Sequence, residues 1–141
     1  MSPAQSSPSR PALRDGLIAV VKRDCPTCVD IAPVLEEINQ RGPGVTVYTQ
    51  DDPGFPEVIT NKIDDRTLEF SWHYDIETVP TLMFVQDGVE LARTVGWSRS
   101  DWEAMSGVDD LGSDLPDMRP GCGSLSVDPD LADSLDLKFG D

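Results

Sequence analysis

Cys25-Pro26-Thr27-Cys28 is the group in this 141-residue chain whose types and spacing best suit chemistry. Two cysteines two residues apart close a small disulfide ring without a long loop. Beyond them Ile31, Leu35 and Ile38 recur at i, i+4 and i+7, with Val34 beside them, and this spacing predicts a helix. Pro26 suits the first turn of that helix, where its missing N–H costs nothing. A pair at a helix N-terminus has its first sulfur exposed and facing the positive end of the helix dipole, which favours the thiolate. The second sulfur lies one turn further in, more buried, placed to attack a mixed disulfide formed at the first. Lys22 and Arg23 add positive charge nearby and Asp24 opposes it. A zinc site would need a second pair of ligands at short spacing. Only Cys122 and His73 are left for that role and their spacings match no zinc knuckle, so no metal and no cofactor is expected.

Other residues carry weaker signals. Val79-Pro80 stands just before an apolar run, a setting compatible with a cis bond or with a proline that simply opens a strand. Cys122 is flanked by Gly121 and Gly123, which allow unusual backbone angles and easy access. It reads either as a third redox thiol, attacking a Cys25–Cys28 disulfide or trapping a partner, or as an ordinary free cysteine. His73 reads as structural, and Trp72, Trp97 and Trp102 as core and rim packing.

The elements that must position these groups follow from the pattern. Leu17 to Val21 is a continuous apolar run of the length and β-branched content of a strand buried on both faces. Pro33 sits inside the helix after the cysteines and is expected to kink it, and Arg41-Gly42-Pro43-Gly44 stops it. Val45 to Thr49 predicts a second strand. Residues 57–76 fit either period, and a helix is the preferred reading there. Val79 to Val85 predicts a third strand, Asp87-Gly88 a tight hairpin, and Val89 to Val95 its antiparallel partner. Ser100-Asp101-Trp102-Glu103 reads as a capping box opening a short helix that stops at Gly107.

Composition sets the frame. Twenty-six acidic against 11 basic side chains give a net charge of −15, which excludes a basic footprint for nucleic acid and disfavours an anionic membrane surface. The longest apolar run is far shorter than the ~20 residues of a spanning helix, and no secretory apolar region stands near the start. Three cysteines are too few for a disulfide scaffold, so a reducing cytoplasm is the expected compartment. Three regions are expected: a Ser/Pro-rich flexible leader over 1–12, one α/β domain over 13–106, and an acidic extension over 107–141. That extension holds nine Asp, one Arg and one Lys, a net of −7. Leu131, Leu135 and Leu137 could form a short amphipathic turn in it. Its aspartates read as a solvated surface, with a basic partner protein or an autoinhibitory flap over the cysteines as the functional alternatives.

The order strand, CxxC, proline-containing helix, strand, helix, Val-Pro-Thr, hairpin, helix resembles the thioredoxin superfamily. Ile31-Ala32-Pro33-Val34-Leu35-Glu36-Glu37-Ile38 is similar to that family's helix after the CxxC. Tyr74-Asp75-Ile76, Val79-Pro80-Thr81-Leu82, Asp87-Gly88 and Val95-Gly96 match its second half. The resemblance covers about residues 13 to 106. It implies a thioredoxin fold, a central mixed β-sheet flanked by helices. It further implies Cys25 as nucleophile, Cys28 as resolving thiol, a cis Pro80 against the disulfide, and Pro26, Thr27, Val79 and Pro80 as substrate contacts. Val79 would pair through its backbone with an extended substrate.

There are departures. Asp24 precedes the first cysteine where thioredoxins carry Trp, the intervening dipeptide is Pro-Thr, and Ala19 stands where thioredoxins bury an Asp that assists proton transfer. Cys-Pro-x-Cys, Thr78-Val79-Pro80 and Lys22 lean towards glutaredoxins, in which a lysine at that place helps hold glutathione. Gly96-Trp97-Ser98-Arg99-Ser100-Asp101 is only a loose version of their glutathione motif. The expected function is thiol–disulfide exchange through a mixed disulfide. The expected partners are a protein or small-molecule disulfide and an electron-donating reductase or glutathione. The alternatives are a glutathione-dependent reductase, a partner-binding adaptor docking through the acidic tail and a long middle helix, and a metal chaperone using the three cysteines.

Overall fold

The computed structural model describes residues 10–140. Strand β1, Gly16–Val21, lies at the centre of a five-stranded sheet, and Leu17 to Val21 are all buried, as an uninterrupted apolar run requires. On one side β1 pairs in parallel with β2, Val45–Thr49, which pairs in parallel with β3, Lys62–Asp64. On the other side β1 pairs antiparallel with β5, Thr81–Gln86, which pairs antiparallel with β6, Val89–Val95. The sheet order is therefore β3-β2-β1-β5-β6, a mixed sheet. The turn between β5 and β6 has Asp87 at φ 54° and Gly88 at φ 77°, the paired positive angles that suit a two-residue hairpin. The Asp15 carboxylate accepts from both turn amides.

Helix α1, Pro26–Arg41, buries Ile31, Val34, Leu35 and Ile38 against the sheet and turns its charged side outward. Pro33 lies inside it on the exposed face. Burying four such side chains contributes about 1.5–3 kcal/mol each, which is what fixes the helix and hence the cysteines at its start. Helix α3, Arg99–Ser106, contributes Trp102, whose ring meets that of Trp97 edge-on at 5.4 Å in the core. It ends at Gly107 in the left-handed conformation.

The reading of 57–76 as a helix is corrected. Lys62-Ile63-Asp64 forms the edge strand β3, and only Glu69–His73 is helical, as α2. Leu68 at φ 66° breaks the chain direction before α2. The buried carboxylate of Asp65 accepts from the amides of Phe70 and Ser71 and from the Ser71 hydroxyl at 2.6 Å, closing the start of a short helix. The capping box is corrected too. Ser98 is the N-cap of α3, and Glu103 accepts from the amide of Leu111 rather than closing a box with Ser100.

Residues 107–140 pack on the sheet domain. Val108 and Leu111 join its core. The Arg99 guanidinium donates to the carbonyls of Leu111, Gly112 and Leu115, tying the following loop down. Strand β7, Trp97–Ser98, pairs with β8, Met118–Arg119. Strand β4, Thr78–Val79, pairs with β9, Cys122–Gly123. A 3-10 turn, Leu125–Val127, leads to α4, Pro129–Phe139, whose Leu135 is buried while Leu137 is exposed. Of the expected leader, residues 1–9 lie outside the described residues. Arg10 stacks over the Tyr74 ring at 4.6 Å, and the Pro11 carbonyl accepts from the Tyr74 hydroxyl.

Candidate active site: three thiols around the start of α1

β1 ends at Val21 and α1 begins at Pro26, so the first cysteine falls at the edge of the sheet, where the central strand stops. The antiparallel register sets Val20 opposite Thr81, which brings Pro80 to the same end. The Val79–Pro80 peptide bond is cis, and both residues are buried. The Cys25 sulfur lies 3.7 Å from the Val79 carbonyl oxygen. The connecting turn is held by Asp51, which accepts from the amides of Arg23 and Asp24 at 2.7 and 2.9 Å.

Cys25 is the N-cap of α1, and its sulfur accepts from the Cys28 amide at 3.4 Å. The Cys28 thiol donates to the same sulfur, and this is the largest cause of a Cys25 pKa lowered to about 5. The thiol of Cys122 and the backbone amides of Cys28 and Thr27 add to it, while burial opposes it. Burial pushes the Cys28 thiol strongly up, and its role as donor to Cys25 pushes it further. Burial also raises Cys122, together with its hydrogen bond to Cys25, and Lys22 counteracts this in part. All three cysteines are free thiols. The arrangement holds one stabilised thiolate next to two protonated thiols, the state from which disulfide exchange starts.

One expectation about this site is overturned. A CxxC at a helix N-terminus implies an exposed first sulfur, but Cys25 is 1% accessible. The cause is the segment 118–124, which crosses the mouth of the site. Val79 stands opposite Cys122 in the β4–β9 pair. The Thr27 hydroxyl donates to the Pro120 carbonyl at 2.7 Å, and the Lys22 ammonium donates to the Gly123 carbonyl at 2.8 Å. Arg119 pairs with Asp30. Behind the segment, the buried Gln50 amide donates to the hydroxyls of Ser71 and Ser124 at 2.8 Å and accepts from the Leu125 amide.

Thus the structure brings Cys25, Cys28, Thr27, Val79, Pro80 and Cys122 together, with Pro26 exposed at the rim. Lys22, Gln50 and Ser124 belong to the same constellation. Of these, only Lys22 carries a signal in the sequence, and for a different role. The flanking glycines of Cys122 were the available signal, for a close backbone approach. Ala19 is fully buried, so this position brings no carboxylate to Cys28.

Comparison with known proteins bears on the family and the fold. No protein-family model matches the chain. Thioredoxin H-type from Oryza sativa subsp. indica is 28% identical over 99 residues, covering 70% of each chain. Thioredoxin H-type from Picea mariana is 29% identical over 80 residues, 56% of this chain and 54% of its own length. Thioredoxin H-type 1 from Nicotiana tabacum is 31% identical over 78 residues, 55% of this chain and 52% of its own. The match thus spans about half the length of the spruce and tobacco relatives.

The chain is related to the thioredoxin superfamily. Its mixed sheet with flanking helices is the thioredoxin fold. The relatives point to a thiol–disulfide oxidoreductase family. Two alternatives lose support from the structure. The long middle helix invoked for a thioredoxin-fold adaptor is absent among the described residues, since 57–68 are loop and edge strand. Lys22, which would hold glutathione in the glutaredoxin reading, is occupied by the Gly123 carbonyl. No helix among the described residues is long and apolar enough to cross a membrane.

Proposed function

We propose that this protein is a cytoplasmic thiol–disulfide oxidoreductase that acts through Cys25 and Cys28. The observation that carries this reading is the hydrogen-bonded Cys25 sulfur at the N-cap of α1, 3.7 Å from the Val79 carbonyl and in contact with the buried Cys28 thiol. The Cys25 thiolate attacks one sulfur of a substrate disulfide. A Cys25–substrate bond forms, and the second substrate sulfur leaves as thiolate and takes up a proton. Cys28 then loses its proton and attacks the Cys25 sulfur. The Cys25–Cys28 disulfide forms and the substrate leaves as a dithiol, reduced by two electrons. An electron-donating reductase or glutathione returns the pair to the thiol state. Pro26 and Thr27 at the helix start and Val79 and Pro80 opposite are the substrate contacts, with Val79 offering its backbone to an extended protein disulfide.

The test is reduction of a protein disulfide with dithiothreitol as electron source. Cys25→Ser is expected to abolish turnover. Cys28→Ser is expected to stop after one step and leave a substrate thiol covalently attached to Cys25, visible as an added mass. Turnover by Cys25→Ser at the wild-type rate would overturn the assignment.

A further inference from the structure

The strand that Val79 would offer to a substrate already has a partner, and that partner is this chain. Cys122 stands opposite Val79 and Gly123 opposite Thr78, in the antiparallel sense. The side chain carried into the site by this strand is a thiol, set opposite Val79, whose carbonyl oxygen lies 3.7 Å from the Cys25 sulfur. Gly121, next to it, is packed against β4. A Cβ built there would overlap the Val79 carbonyl and come within 2.7 Å of the Thr78 methyl group. Gly96, at φ 71°, makes room from the other side, for a Cβ there would lie 3.0 Å from the Arg119 carbonyl. Lys22 and Asp30, which flank the CxxC, and Thr27 within it direct their polar groups to Gly123, Arg119 and Pro120 respectively. A segment held by this strand pair, these close glycine approaches and these three side chains, across a Cys25 that is 1% accessible, is a fitted occupant of the groove.

We propose that residues 118–124 act as an internal substrate strand, and that Cys122 is a third catalytic thiol that forms a disulfide with Cys25. The inference rests on the reading of Cys25 as nucleophile. Two consequences follow for the reaction. An external disulfide reaches Cys25 only when the segment lifts. When it returns, the Cys122 thiolate attacks the Cys25 sulfur of the mixed disulfide. The Cys25–Cys122 bond forms, the Cys25–substrate bond breaks, and the substrate sulfur departs with the electron pair and takes up a proton. The same product arises by isomerisation from the Cys25–Cys28 disulfide. There Cys122 attacks Cys25, the Cys28 sulfur leaves with the electron pair, the proton lost by Cys122 is regained at Cys28, and no net oxidation occurs.

The experiment uses the full chain. Reduced wild type, Gly121→Val and Thr27→Val are alkylated with iodoacetamide, and the rate at Cys25 is read by mass spectrometry. Lifting the segment is expected to raise that rate about tenfold or more in whichever variant keeps the wild-type circular dichroism. A rate unchanged from wild type in the folded variants would overturn the cap. Separately, Cys28→Ser is treated with glutathione disulfide and its cysteines are mapped. The expected product is an intrachain Cys25–Cys122 disulfide, with two glutathione thiols released. In Cys28→Ser/Cys122→Ser the Cys25–glutathione adduct accumulates instead. A stable adduct at Cys25 with Cys122 still free in Cys28→Ser overturns this inference and leaves the proposed function standing. An unreacted Cys25 overturns both.

Discussion

At Cys25 the chemistry turns on hydrogen bonds to a single sulfur. The Cys28 thiol is the strongest donor, followed among the stabilising contacts by the Cys122 thiol and then by the amides at the start of α1. They outweigh burial, which alone would favour the neutral thiol. A lowered pKa means that the thiolate is present above about 5 and is lost as the pH falls through that value. A titration of thiolate ultraviolet absorbance is expected to show a midpoint near 5 that disappears in Cys25→Ser. In Cys28→Ala the midpoint moves up, because the largest stabilising donor is gone. A wild-type midpoint near the ~8.5 of a free cysteine would contradict the geometry. The place of this pair at the start of a helix was legible from its spacing and from the apolar face that follows it. The thiolate's second donor was not, because Cys122 is 97 residues further along and no periodicity links it to the site.

The elements divide by what holds them. β1, α1, β2 and the β5–β6 hairpin were readable because each carries its own signal: a buried apolar run, an i, i+4, i+7 face, an Asp-Gly turn. α1 in particular is fixed by its apolar face. Leu35→Ala is expected to cost about 2–5 kcal/mol in urea unfolding, since the side chain is fully buried and the sheet behind it cannot collapse into the gap. A cost below 1 kcal/mol, on the order of an exposed substitution, would mean that α1 is not packed as described. The region 57–76 misled because its periodic residues serve several partners. Tyr48 and Phe70 stack at 3.8 Å across two elements, and Asp65 fixes the start of α2 from inside the core. The start of α3 shifted to Ser98 because that residue is still paired with Met118, so strand runs straight into helix. Two-residue strands such as β4 and β9 have no pattern of their own and exist only as a pair.

For the whole molecule the sequence-level charge is the dominant long-range property. On the proposed function, a net charge of −15 favours cationic disulfide substrates over anionic ones. For two disulfide peptides that differ only in basic or acidic flanking residues, kcat/KM is expected to favour the basic one by about tenfold at low salt. The advantage should shrink as the Debye length falls from ~30 Å at 0.01 M to ~8 Å at 0.15 M ionic strength. Equal values at low salt would show that the field does not reach the site. The strand pairing of Cys122 with Val79 adds a second filter, one of competition. A tethered segment meets its groove at an effective concentration on the order of millimolar, however dilute the protein. Every incoming disulfide bids against that standing occupant, and dilution does not help it. On the proposed function, weak encounters with abundant disulfides are thereby refused, and selectivity is set as much by how firmly the protein holds its own chain as by how well it fits another.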